Sequence, residues 1–194
     1  MNRPFVEVIM PTFNRFNELK MSIASMACQT VRNWKVTVVI DDSPKSDRTK
    51  LIGMIGDFDD DRIQYIFSGK QYNDWGHTPR EIGKQQSNAH YVIMTGDDNY
   101  YTPNFVKELS LAAAKNPGMI YWDMVHSHYG YCYFKCAPHF NQIDMGAFAT
   151  RTDLAKQIKL GTDFAADGTY VEDFKKKFPT EKIEKINKIL FVHN

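Results

Sequence analysis

Through its first two-thirds the chain alternates short apolar runs with stretches whose apolar residues recur at helical spacing, and few architectures accommodate that pattern. "FVEVIMP" reads as a first strand, after which Phe16, Leu19, Ile23, Met26 and Ala27 fall on one helical stripe. "WKVTVVIDDS" gives a second strand, "SDRTKLIGMIGDF" a helix and "DRIQYIFS" a third strand. "TPREIGKQQSNA" is a further helix leading to the buried run Tyr91 to Thr95 of "HYVIMTGDDNYYTP". Thr102 and Pro103 are expected as N-cap and first helical residue of "PNFVKELSLAAAKN", which Asn116-Pro117-Gly118 ends. Alternation of this kind predicts an α/β fold with a mostly parallel central sheet and helices on both faces.

The last third differs in texture. "MIYWDMVHSHYGYCYFKC" is long, aromatic and extended in character, and predicts antiparallel strands added to the parallel core. A helix from about Thr152 to Ile158, a second around Val171 to Phe178, and a strand near Ile186 to Val192 complete the reading. At 194 residues and 43% hydrophobic content, one domain spanning 1–194 is expected. Lys plus Arg number 24 against 23 for Asp plus Glu, so the overall charge asks for neither nucleic acid nor an anionic membrane as partner. Three cysteines, Cys28, Cys132 and Cys136, cannot all pair, which favours a reducing compartment. With no stretch of membrane-span length and no signal-peptide pattern at the start, the expectation is cytoplasmic.

In an open parallel sheet, ligands bind beyond the carboxyl ends of the strands. The polar clusters fall there: "PTFNR" after the first strand, "DDS" after the second, "GDDN" after the fourth. Asp97 and Asp98 stand side by side, and two adjacent carboxylates repel each other unless something positive lies between them. Neither a Gly-rich phosphate loop, a G-x-G-x-x-G fingerprint nor a G-x-S-x-G elbow occurs. Cys132 and Cys136 lack the second cysteine pair of a zinc site, despite His126, His128 and His139 nearby.

The succession "VIMPTFNR", "VVIDDS", "GHTPREIG" and "YVIMTGDDNYYTP" resembles the nucleotide-sugar-binding half of family-two inverting glycosyltransferases with a GT-A (Rossmann-like) fold. That resemblance implies donor binding at about 1–103, and an acceptor side with the catalytic base at about 104–194. It sets Pro11, Thr12, Asn14 and Arg15 against the nucleotide, Asp41 and Asp42 on uracil and ribose, and Arg80 on donor phosphate or the acidic motif. Trp75 and His77 would line the same mouth. "GDDN" is similar to the family's Asp-x-Asp motif, in which a carboxylate holds Mn²⁺ or Mg²⁺ together with the donor diphosphate. Gly96 stands where the first motif acid is common, so Asp98 is implied as metal ligand and Asp97 as ribose or second metal partner. His193 of "FVHN" resembles the late histidine that reaches metal or diphosphate.

Inversion requires a base that takes the acceptor proton, in the family an aspartate beginning a late helix. Asp167 falls at the implied distance beyond Arg151, with Asp173 and Glu172 as alternatives. Asp123, Asp144 and Trp122 are candidates for the acceptor, and Tyr129, Tyr131 and Tyr133 for stacking on a sugar. The resemblance thus implies a UDP-sugar donor, favoured among nucleotide sugars, and a glycan, glycoprotein or glycolipid acceptor, with this chain as one module of a longer protein. The competing readings are a sugar-1-phosphate nucleotidyltransferase, whose basic Gly-rich loop "PTFNRFNELK" does not supply, and a non-catalytic nucleotide-sugar-binding module.

Overall fold

A computed structural model describes residues 3–42 and 47–194. Strand β1 (Val6–Thr12) is buried along its whole length, and α1 (Phe16–Ala27) turns Leu19, Ser22, Ile23 and Met26 inwards. Strand β2 (Trp34–Ile40) follows, then α2 (Arg48–Gly56), which Asp47 caps by accepting from the Lys50 amide at 3.1 Å. Next come β3 (Ile63–Phe67), α3 (His77–Gln86), β4 (Tyr91–Met94), β5 (Tyr100–Tyr101) and α4 (Phe105–Ala112). The last third holds β6 (Met119–His126), β7 (Cys132–Phe134), β8 (Phe148–Arg151), the short α5 (Thr152–Ala155), α6 (Ala166–Lys177) and β9 (Ile183–His193). Ser43 and Pro44, read with the acidic pair as "DDSP", and Ser46, read at the start of the second helix, lie outside the described residues.

The sheet runs β3-β2-β1-β4-β8-β6-β9-β5, with β7 paired to β6. Strands β1 to β4 are mutually parallel, β8 is antiparallel to both β4 and β6, and β9 runs parallel to β6. The α/β class and the antiparallel additions of the last third are therefore as the sequence predicts. Chain order reverses between β1 and β4, which makes their carboxyl ends the switch point where a ligand crevice opens.

Two helix starts differ from the sequence reading. Helix α4 begins at Phe105, because Thr102 and Pro103 form a turn in which the Thr102 carbonyl accepts from the Phe105 amide at 3.0 Å. The capping falls instead to buried Gln29, whose Oε1 accepts from the Val106 amide at 3.0 Å while its Nε2 donates to the Thr102 carbonyl at 2.8 Å. Helix α6 begins at Ala166, five residues before Val171. Its inward positions there are Ala166 and Gly168, too small to mark an apolar stripe, and a Cβ at Gly168 would lie 2.9 Å from Phe140 Cα.

Helix α3 is pressed onto β1: a Cβ at Gly83 would lie 2.5 Å from Ile9 Cγ2. It also grips the segment that leads to α6. Fully buried Lys84 donates to the Ile158 carbonyl and pairs with Glu81 Oε2 at 2.7 Å, and Glu81 accepts from the Leu160 amide at 3.0 Å. Burial pulls the Lys84 ammonium below its ordinary pKa, so Glu81 keeps it charged. Breaking such a pair from one side strands the other charge. Lys84→Ala is expected to lower unfolding free energy by about 3–5 kcal/mol in urea titration.

Candidate active site

The parallel register Val6↔Tyr91 to Ile9↔Met94, carried three residues further, sets Thr12 level with Asp97. There Thr12 Oγ1 donates to Asp97 Oδ2 at 2.7 Å. Arg15, just beyond β1, reaches Asp97 Oδ1 at 3.3 Å and Asp98 Oδ2 at 3.0 Å. The positive group expected between the two carboxylates is thus in part a guanidinium. It does not suffice for Asp97, which is 5% exposed and which burial pushes up to about 6 despite Thr12 and Arg15.

Around this pair lies a cavity of about 430 Å³, whose walls include Pro11, Thr12, Asp41, Asp74, Arg80 and Asp144. Asp41 follows β2, its amide donating to the Thr12 carbonyl at 2.8 Å. Burial, and then the neighbouring charge of Asp74, raise its pKa, and one oxygen of each carboxylate is buried without a hydrogen-bond partner among the described residues. Asp74 escaped the sequence reading. The signal was its place four residues before Thr78, whose amide and hydroxyl both donate to Asp74 Oδ2, so that it begins α3 and leaves Oδ1 for the cavity.

Arg80 extends from α3 with Nε on the Thr95 carbonyl at 2.9 Å and Nη1 on the Trp75 carbonyl at 2.8 Å. Burial lowers its pKa, opposed by the charges of Asp144, Asp97, Asp98 and Asp74. Gly76 permits the approach, for it has φ of 78° and a Cβ there would lie 2.8 Å from Pro11 Cγ.

A second cavity of about 550 Å³ adjoins the first, sharing Trp75, Arg80, Asp144, Met145 and His193 with it. Asp167, in the first turn of α6, lines this second cavity, and burial pushes its carboxyl up to about 6 while the Gly168 amide donates to it at 2.7 Å. A group of that pKa is an effective proton acceptor near neutral pH. His193 ends β9 on the shared wall, with Nδ1 3.2 Å from Ser127 Oγ and Nε2 3.7 Å from Asp144 Oδ2.

The structure therefore brings Pro11, Thr12, Arg15, Asp41, Arg80, Asp97, Asp98, Asp144, Asp167 and His193 to one pair of cavities. Other candidates lie elsewhere. Asp42 is paired with Arg48, and Asn14 accepts from the Asp47 amide at 2.9 Å. Asp173 is exposed off both cavities, and Glu172 is held by Lys175 at 3.2 Å and the Phe140 amide at 3.3 Å. Trp122 is a correction: it is fully buried, edge-on to Phe105 at 4.9 Å, because β6 is packed on both faces. Asp123 is likewise structural, with Oδ1 2.8 Å from Lys185 and accepting from the Cys136 amide at 2.9 Å. Tyr133 donates to that same carboxylate at 2.9 Å and Tyr131 to Asn194, which leaves Tyr129 alone of the three tyrosines on the second cavity.

The oxygen donors suit a hard divalent cation. In the first cavity five carboxylates, Asp41, Asp74, Asp97, Asp98 and Asp144, face two guanidinium groups, Arg15 and Arg80, an excess of three negative charges. Among the described residues no group of three or more His, Cys, Asp or Glu could hold a metal. Two adjacent carboxylates fit the binding of Mg²⁺ or Mn²⁺ that relies on substrate phosphates for its remaining positions, rather than a closed protein cage.

Comparison with known proteins agrees with this geometry. Over 122 residues the chain is 25% identical to an E. coli UDP-Glc:alpha-D-GlcNAc-diphosphoundecaprenol beta-1,3-glucosyltransferase, WfgD, covering 62% of this chain and 46% of that protein. Over 96 residues it is 31% identical to a Campylobacter jejuni GalNAc(5)-diNAcBac-PP-undecaprenol beta-1,3-glucosyltransferase, covering 50% of this chain and 30% of that one. The chain thus spans less than half the length of these curated relatives. Its fold matches that of S. aureus TarS with a TM-score of 0.79 at 15% identity, covering 97% of this chain and 60% of TarS. The mannosyltransferase PcManGT from Pyrobaculum calidifontis, solved with GDP-Man and Mn²⁺, matches with a TM-score of 0.75 at 14% identity, over 100% of this chain and 57% of that one. Residues 7–165, from β1 to the threshold of α6, match the model described as glycosyl transferase family 2, and the chain belongs to that family.

Proposed function

We propose that this chain transfers a sugar from a UDP-sugar to an acceptor hydroxyl, with inversion at the anomeric carbon and with Mn²⁺ or Mg²⁺ bound. The observation that carries the reading is the pair of adjoining cavities, one acidic and oxygen-rich at the switch point, the other holding a carboxylate poised near neutral pH. In this reading Asp98 and Asp97 hold the cation, which when bound neutralises the departing diphosphate. Asp41 and Asp74 accept hydrogen bonds from the nucleoside, and Arg80 and His193 meet the diphosphate. Asp167 approaches from the other side of the shared wall and removes the acceptor proton as its oxygen attacks the anomeric carbon opposite the leaving group. The preference for UDP is supported by TarS, which has been solved with UDP and with UDP-GlcNAc, and by the UDP-Glc named for the E. coli relative.

We assign about 1–103 to donor and metal and about 104–194 to acceptor and base, within a longer protein. Among the described residues no helix is long and apolar enough to cross a membrane. The free cysteines, Cys28 and Cys132 being exposed, support a cytoplasmic setting. The test is nucleoside diphosphate release from UDP-glucose, UDP-GlcNAc and GDP-mannose, each with Mn²⁺ and with EDTA. Release of UDP in Mn²⁺ alone is expected. Preferential release of GDP would overturn the uridine assignment, and release unaffected by EDTA would overturn the metal.

A further inference from the structure

The second cavity has walls that neither proton transfer nor donor binding uses. Phe164 is 80% exposed and Trp75 65%, and their rings meet edge to face at 6.3 Å. Across the cavity Tyr129, 59% exposed, stacks on Phe134 at 5.5 Å. Between these two aromatic pairs lie Asp167, Asp144 and Asn141. Phe164 comes from the turn before α6, where Asp163 Oδ1 accepts from the Ala165 amide at 3.0 Å. The same segment is anchored upstream by the Glu81 bond to Leu160. Large aromatic faces left in water beside carboxylates are costly unless a ligand with both characters covers them.

We infer that this cavity binds a pyranose ring of the acceptor, with an apolar C–H face on Phe164 and Trp75 and its hydroxyl rim turned to Asp167, Asp144 and Asn141. The inference rests on the reading of Asp167 as the base and extends it from an acceptor hydroxyl to a sugar acceptor with a defined ring platform. A pyranose presents axial C–H bonds on its faces and hydroxyls around its edge, matching aromatic walls with a polar floor. An alkyl chain in the same place would bury Asp144 and Asp167 against hydrocarbon with nothing to bond them. The cavity volume of about 550 Å³ suits a ligand of that size.

The experiment is saturation-transfer NMR on the chain with UDP and Mg²⁺, saturating aromatic protons and observing methyl glycosides of glucose, galactose and N-acetylglucosamine at millimolar concentration. Calorimetry with UDP on the same samples tests the donor site separately. Transfer to the ring protons of at least one glycoside is expected, with affinity falling about tenfold in Phe164→Ala and restored in Phe164→Tyr, UDP affinity being unchanged in both. The inference is overturned if UDP binds but no glycoside receives saturation, or if Phe164→Ala binds glycoside as well as the parent does. Retention of the chain on vesicles of phosphatidylglycerol and phosphatidylethanolamine, lost in Phe164→Ala while glycosides stay silent, would assign the aromatic rim to a lipid surface instead. Failure of UDP to bind would count against the donor reading alone, since the glycoside signal is read independently.

Discussion

Asp167→Asn is expected to reduce sugar transfer by about 10²–10⁴-fold while leaving UDP affinity unchanged. The amide keeps the shape of the side chain and can still accept from the Gly168 amide, but it cannot take a proton. Asp167 lines only the second cavity, so the donor cavity keeps all of its walls. The same residue sets the pH dependence. Burial, helped by the nearby charge of Asp144 and opposed by the Gly168 amide and Arg80, raises its carboxyl to about 6. Only the deprotonated form is a base, so kcat/KM should be flat above that value and fall tenfold per pH unit below it. Loss of the acidic limb in Asp167→Glu, or full activity in Asp167→Asn, would remove Asp167 from the base role.

Asp98→Asn is expected to weaken UDP binding in Mn²⁺ by about 100-fold or more, given that even groups bonded to a metal ligand are worth about 10–100-fold. Two effects combine. The substitution removes a charged oxygen donor, and it leaves Arg15, which spans both carboxylates, with Asp97 alone. In EDTA the variant and the parent should bind UDP alike, because the excess of carboxylates already opposes the diphosphate there. Metal dependence that survived Asp98→Asn would show that the cation is held elsewhere.

Much of this was legible in the sequence, and the reasons are physical. The buried runs at Val6–Thr12, Trp34–Ile40 and Tyr91–Met94 read as parallel strands because both faces are covered, and a parallel sheet brings their polar ends together. Asp97 and Asp98 stood out because adjacent buried carboxylates demand a partner. Position along the chain, by contrast, said little about side-chain direction in the last third. Trp122 and Asp123 occupy neighbouring positions on β6, yet both are buried, since β6 is flanked by β8 and β9 and covered on each face. Asp74 and Phe164 sit in connecting segments without periodicity, and only the fold reveals that they face the two cavities. The early start of α6 was hidden by alanine and glycine, and with it the fact that Asp167 belongs to a helix N-terminal turn.

The most direct measurement is calorimetric titration of the chain with UDP, GDP, CDP and dTDP, each in Mn²⁺ and in EDTA. The account predicts binding of UDP in Mn²⁺, strongly weakened by EDTA, with the other nucleotides weaker. Equal binding with and without the metal, or no binding of any of the four, would contradict it.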